Sequence, residues 1–282
     1  MALADEFDGF LVDLDGVVWV GREMVPGAVG ALQKLLAMGK EVVFVTNNPG
    51  RPATTYAERL REAGVEIGVE RVVTAGEATA RLAAEHAGPG GRAFTIGAPA
   101  FHETVAAAGL EPVPTAEASG AGPGEVEADV VVVSGHREFD YAELLTATRA
   151  LQGGAALFAT SRDPTLPMPG GAWPGTGAVL AAVETASGAT AAIGGKPEPH
   201  LFELAQQRLR CSLPPDNREK EQRSGLGRIA MVGDRVSSDI EGGRRAGLET
   251  ILVLSGATTR AEAERATPPP DHVVADLSGL LA

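Results

Sequence analysis

The sequence predicts an α/β protein, a doubly wound, mainly parallel sheet with an inserted α/β cap domain. Short apolar runs alternate with amphipathic, helix-like stretches, which is the pattern of successive βα units. The runs, such as Phe10-Leu11-Val12 and Val42-Val43-Phe44-Val45, are continuous instead of alternating, as in strands covered on both faces. Between them and a similar C-terminal region, the texture changes, with Gly and Pro clustered at Gly88 to Gly91 and Gly120 to Gly124. The expected division is core at 1–79, inserted domain at 80–190 and core again at 191–282.

The elements follow in order. A strand over Phe10 to Leu14 leads to a helix over Val29 to Met38, closed at Gly39. The strand Val42 to Val45 stops at Thr46-Asn47-Asn48-Pro49-Gly50, and a helix from about Ala53 to Ala63 ends at Gly64. Ala93 to Ile96, Val130 to Val133 and Ala156 to Ala159 suit a separate small sheet. After the strand-like Ala191-Ala192-Ile193, the rhythm returns as a helix over Pro199 to Leu209, a strand over Arg228 to Val232 and a helix over Ser237 to Ala246. Strands over Thr250 to Leu254 and His272 to Val274 complete it. The polar stretch Pro214 to Gly225 reads as an exposed loop.

Composition narrows the partners. A net charge of −13 argues against nucleic acid, which favours a basic face, and gives no attraction to an anionic membrane. An anionic substrate therefore needs local positive groups. The single cysteine, Cys211, excludes an internal disulfide and an all-cysteine metal site. Met1 to Asp8 carries three acids and no basic region, so it does not read as a signal peptide, and the expected location is cytoplasmic. No apolar run approaches the ~18 residues that span a bilayer.

Chemistry collects at the carboxyl ends of the expected strands, where open α/β sheets bind ligands. Asp13-Leu14-Asp15-Gly16 places two carboxylates two apart at one strand end, where i and i+2 share a face. Like charges at that spacing are costly unless a cation or shared proton relieves them; a strand followed by an ordinary turn is the plainer alternative. Thr46-Asn47-Asn48 offers a hydroxyl and backbone N–H groups to phosphate oxygens, or caps a helix. Lys196, in Gly194-Gly195-Lys196-Pro197, sits at a helix entrance, where the helix dipole favours anions; it faces either a bound anion or solvent. Gly233-Asp234-Arg235 with Asp239 adds two more acids, Asp234 as a candidate helix cap and Asp239 on the helix face. Together these put Asp, Asp, Thr, Lys and Asp at strand ends of one sheet. Such an oxygen-rich cluster favours Mg²⁺, and without a Cys cluster or a His pair at helical spacing zinc is disfavoured. One carboxylate can then attack phosphorus while its neighbour moves protons. His86, His102, His136, His200 and His272 are scattered, and they read as core or surface residues.

In order and spacing, Asp13-x-Asp15-Gly16-Val17-Val18-Trp19, Thr46-Asn47-Asn48-Pro49, Pro174-Gly175-Thr176-Gly177, Gly195-Lys196-Pro197 and Gly233-Asp234-Arg235…Asp239-Ile240 resemble the haloacid dehalogenase (HAD) superfamily. Within it they resemble the capped class IIA group that includes NagD, 4-nitrophenylphosphatases and phosphoglycolate and glycerol-phosphate phosphatases. The resemblance covers nearly the whole chain. It implies a HAD-like Rossmannoid core and a Mg²⁺-dependent phosphatase that hydrolyses a small phosphomonoester, such as phosphoglycolate or glycerol phosphate, through a phosphoaspartate. Asp13 would be the nucleophile and Asp15 the general acid/base. The Asp13 side chain, the Asp15 carbonyl and Asp234 would hold the metal, supported by Asp239. Thr46, Asn47, Asn48 and Lys196 would bind the phosphoryl group. Ser161, Arg162, Asp163 and Leu166 fall in the segment that reads the substrate. Ser161 stands where many relatives carry Asn, and Leu166 aligns with a histidine of pyridoxal-phosphate phosphatases, which weakens that substrate. Capped relatives pair through the cap, so a homodimer is a further expectation.

Two other readings remain open at this point. A receiver-like signalling module also gathers Asp, Thr and Lys around Mg²⁺, though its acidic pair and phosphorylated Asp lie on different strands and it lacks a large insertion. A phosphometabolite-binding protein would keep the fold and lose turnover.

Overall fold

A computed structural model describes residues 2–115, 126–168, 171–211 and 227–282. The glycine cluster at 120–124 and the polar stretch at 214–225 lie outside the described residues. Two compact units are present: residues 1–46, 53–73 and 196–282 form the first, and residues 47–52 and 74–195 the second.

The first unit is built on six strands in the order His272–Val274, Glu249–Val253, Ile229–Gly233, Gly9–Asp13, Glu41–Thr46 and Val72–Thr74. Pairing is parallel across the first five. From Gly9–Asp13 the chain winds outward to Glu41–Thr46, and from Ile229–Gly233 it winds the other way. The crevice where winding reverses is therefore bounded by the carboxyl ends of Gly9–Asp13 and Ile229–Gly233, the ligand position in open α/β sheets.

Both central strands are buried at every residue, which explains their unbroken apolar sequences. Phe10, Val12, Phe44, Val232 and Ile251 pack in one core with Ala28, Ala31, Leu32 and Leu35. The last four recur at i, i+3, i+4 and i+7 along helix Ala28–Ala37, giving one apolar stripe. The helix expected over Ser237 to Ala246 is two pieces: a π-helical turn at Val236–Ile240 runs into a short α-helix at Glu241–Arg245.

The second unit has its own five-stranded parallel sheet, in the order Ala192–Ile193, Ala156–Ala159, Val130–Val133, Arg92–Ile96 and Glu111–Pro112. Val131, Val133, Ala159 and Phe94 pack there against helices Tyr141–Gln152 and Thr176–Ser187 through Ala147, Ala150, Leu180 and Val183. A separate hairpin, Thr165–Met168 with Gly171–Pro174, projects Leu166 and Trp173 as a cross-strand pair. Trp173 is exposed, with the Arg137 guanidinium 4.1 Å from its ring centroid. No described helix is long and apolar enough to cross a membrane.

Candidate active site

Asp13 is the last residue of a fully buried strand and is itself 6% exposed, so its carboxylate at the crevice is largely shielded from solvent. Lys196 Nζ donates to Asp13 Oδ1 at 2.5 Å and to Asp239 Oδ1 at 2.6 Å. Asp239 is turned inward by the π-helical segment. Its other oxygen accepts the Arg235 N–H at 3.0 Å, so both of its carboxylate oxygens are engaged. π-Helical turns of this kind recur at functional sites. Gly233 permits the approach, because a Cβ there would collide with the Asp239 side chain.

Asp234 follows the neighbouring central strand. Its Oδ2 accepts the Ala257 N–H at 2.6 Å, while its buried Oδ1 has no hydrogen-bond partner. The sequence-based role of helix cap does not hold, since its side chain bonds instead to the loop after Glu249–Val253. Carboxylate oxygens of Asp13, Asp234 and Asp239 lie within 4.8 Å of one another. Three acids against one ammonium is a poorly balanced buried cluster. Burial, with Asp239 and Asp234 adding to it, pushes the Asp13 carboxyl well above the usual range, opposed by Lys196. Burial and then Asp239 likewise raise Asp234. Burial alone would depress the Lys196 ammonium, but Asp13 and Asp239 hold it charged, above the ordinary lysine range.

A divalent cation fits this arrangement. The donor set is all oxygen, which suits Mg²⁺, and the orphaned Asp234 Oδ1 is a buried acceptor with nothing to accept from. Asp13 and Asp234 would hold the ion. Asp239, with both oxygens engaged, would support it from behind.

Other residues depart from the sequence reading. Asp15 does not converge with Asp13 by strand alternation, because the strand ends at Asp13 and Asp15 lies exposed in the turn beyond. Its carboxylate accepts the Trp19 indole N–H at 3.0 Å and is not part of the three-acid cluster. Gly16 adopts φ +89°, and a Cβ there would run into Asp234, so only glycine fits between the two motifs. Lys196 does not follow a strand of the central sheet. The strand before it, Ala192–Ile193, belongs to the second unit, and Lys196 enters from the turn preceding helix Pro199–Cys211. Thr46 is buried at the end of Glu41–Thr46. Asn47 and Asn48 group with the second unit, where Asn48 Oδ1 accepts the Gly50 N–H at 3.0 Å.

Within the second unit, the Arg162 guanidinium is committed to Glu184 by two bonds of 3.0 and 2.8 Å, and it also donates to the Ala191 carbonyl. The hydrogen bonds from Arg162 hold Glu184 below the ordinary carboxylate range. Ser161 is buried and its hydroxyl accepts the Asp163 N–H at 3.3 Å, while Leu166 is 41% exposed. The sequence reading missed Ser255, whose hydroxyl donates to the Gly16 carbonyl at 2.8 Å; a serine just past a strand end was the available signal.

Comparison with known proteins agrees with this geometry. The family model for haloacid dehalogenase-like hydrolase matches residues 10–111, and a second model of HAD-like hydrolases matches 193–280. The chain belongs to the haloacid dehalogenase-like hydrolases, in their phosphatase branch. D-glycerol 3-phosphate phosphatase of Mycobacterium tuberculosis is 36% identical over 99% of this chain and 72% of its own length. Glycerol-3-phosphate phosphatase of Gallus gallus is 34% identical over 99% and 93%. Among solved structures, the M. tuberculosis glycerol phosphate phosphatase in complex with magnesium superposes with TM-score 0.84 at 34% identity, covering 99% of this chain and 78% of that one. The 4-nitrophenylphosphatase of Thermotoga maritima gives 0.81 at 31% identity, covering 99% and 98%.

Proposed function

We propose that this phosphatase uses Mg²⁺ and hydrolyses a small alkyl phosphomonoester, glycerol phosphate being the favoured substrate, through a phosphoaspartate on Asp13. The observation that carries the reading is the buried trio Asp13, Asp234 and Asp239, with one orphaned oxygen and one lysine, at the sheet's switch point. Similarity to glycerol phosphate phosphatases supports the choice of substrate. When bound, the cation neutralises the acids and draws electrons from the phosphoryl oxygens.

Asp13 must be ionised to attack, and Lys196 on its Oδ1 favours the charged form against burial and the neighbouring acids. The Asp13 carboxylate forms a bond to phosphorus as the bond to the alcohol oxygen breaks. Asp15 gives its proton to the departing oxygen. It then takes a proton from water, whose oxygen attacks phosphorus and releases inorganic phosphate with Asp13 restored. Lys196, already on Asp13 Oδ1, and the Thr46 hydroxyl stabilise charge on the phosphoryl group during both steps. Asn47 and Asn48 add N–H donors to it.

Choice of alcohol is assigned to the 161–166 segment, with exposed Leu166 its leading member and Arg162 acting through its tie to Glu184. Asp13→Asn tests the core of the reading. It should retain the fold and lose phosphate release from glycerol 3-phosphate and 4-nitrophenyl phosphate; turnover comparable to the parent protein would remove Asp13 as nucleophile.

A further inference from the structure

We propose that Trp19 is the positioning residue for Asp15, orienting its carboxylate for proton transfer; the proposal rests on Asp15 being the general acid/base. Asp15 is exposed just past the strand end, in an isolated backbone bridge to Trp19. Trp19, four residues on, is 1% exposed and donates its indole N–H to Asp15 Oδ1 at 3.0 Å. Indole is a donor only, and when buried it needs an acceptor. Asp15 is that acceptor.

The ring that carries the donor is itself clamped. Tyr56 stacks on one part at 6.3 Å between centroids and 11° between planes, and the Arg59 guanidinium lies 4.0 Å from the ring centroid. Arg59 also donates to the Gly21 carbonyl at 2.9 Å, so the cation is tied to the same loop that it covers. A cation over the face of an indole is attracted by the ring's negative π-face. The backbone closes the loop as well: the Leu14 carbonyl accepts the Val18 and Trp19 N–H groups at 2.9 and 3.2 Å, and the Gly16 N–H donates to the Trp19 carbonyl at 2.7 Å. Backbone and side-chain hydrogen bonds therefore join Asp15 and Trp19 in one closed loop.

The bond fixes which oxygen does the chemistry. Oδ1 accepts the indole N–H, which favours Oδ2 as the carrier of the proton in transit and orients the carboxyl plane. Loss of that orientation should hurt a leaving group that needs a proton and spare one that does not.

The test compares kcat/KM, which reports the phosphoryl transfer from substrate to enzyme, for glycerol 3-phosphate and for 4-nitrophenyl phosphate. The alkoxide must be protonated as it leaves, whereas 4-nitrophenolate departs unaided. Trp19→Phe keeps an aromatic ring at the site and removes the N–H. It should lower kcat/KM for the alkyl ester at least ~10-fold, within the ~100- to 10,000-fold that general acid catalysis supplies, and that for the aryl ester less than ~3-fold. Asp15→Asn should show the same split, larger, and Trp19→Phe added to Asp15→Asn should cost nothing more, since paired residues acting as a unit are non-additive. Arg59→Met, which leaves the N–H and loosens the ring, should give a smaller split in the same direction, and it carries the test should Trp19→Phe fail to fold. An equal loss on both esters in the Trp19 and Arg59 variants, with Asp15→Asn still splitting them, overturns the role of Trp19 alone. An Asp15→Asn variant without a split overturns the acid/base reading on which it rests.

Discussion

Replacing Asp234 by Asn should make the metal-free protein more stable while abolishing its response to Mg²⁺. The Asp234 carboxylate is buried, with its oxygens within 4.8 Å of those of Asp13 and Asp239. At the 4.8 Å outer limit of those distances and an effective dielectric of ~20, two unit charges interact by about 3.5 kcal/mol. The other charges in the cluster, two carboxylates and Lys196, sum to one net negative charge, so the repulsion relieved is that of about one pair. Attraction to Arg235 reduces it further. Asparagine keeps an oxygen for the Ala257 N–H and places an amide donor where Oδ1 has no partner. The expected gain is about 1–3 kcal/mol, which at about 2–4 °C per kcal/mol is a rise in Tm of about 2–12 °C. Thermal melts of both proteins with chelator and with excess Mg²⁺ read this directly. The parent should rise on adding Mg²⁺ and the variant should not. A variant less stable without metal, and still stabilised by Mg²⁺, would refute the view that this cluster is under electrostatic strain relieved by a cation.

Three further outcomes follow from the same geometry. Asp13 and Asp234 have folded pKa values raised above the ordinary carboxyl value of 3.8, so the metal-free folded state holds more protons than the unfolded chain and loses stability as pH climbs through those raised values. The Tm increment from Mg²⁺ should therefore be larger at pH 8 than at pH 5, and a flat increment would contradict the assignment. Lys196→Met leaves Asp13 and Asp239 without their shared cation; breaking a buried pair costs about 3–5 kcal/mol, and phosphate release should fall at least ~100-fold, of the order lost with an oxyanion donor. Arg162→Ala should lower stability by about 1 kcal/mol or less, as for half-exposed ion pairs, while leaving turnover of 4-nitrophenyl phosphate within twofold, whereas Leu166→Ala should shift the ratio of alkyl to aryl phosphate turnover.

The parts legible in the sequence are those whose burial leaves a direct mark. Phe10 to Val12, Val42 to Val45 and Ile229 to Val232 are strands covered on both faces, and an unbroken apolar run has few other uses. Acids placed just past such runs were readable as a site because they incur a cost with no structural return. What was not legible depends on how the chain leaves a strand. Alternation held only up to Asp13, so it could not place Asp15, whose orientation comes from an indole four residues away. Lys196 looked like another strand-end residue of the central sheet, yet its preceding strand pairs with Ala156–Ala159. The π-helical turn that folds Asp239 back onto the Arg235 N–H has no periodicity to detect. Arg162 offers no hint of its partner, since Glu184 lies 22 residues on, along helix Thr176–Ser187.

The central claim is that Asp13 carries the phosphoryl group between substrate and water. Rapid acid quench of the Mg²⁺-loaded protein with ³²P-labelled glycerol phosphate, followed by peptide mapping, tests it most directly. The label should be hydroxylamine-labile, lie on the peptide containing Asp13 and be absent from Asp13→Asn. Label on another residue, or full turnover with no labelled protein at any quench time, would contradict the account.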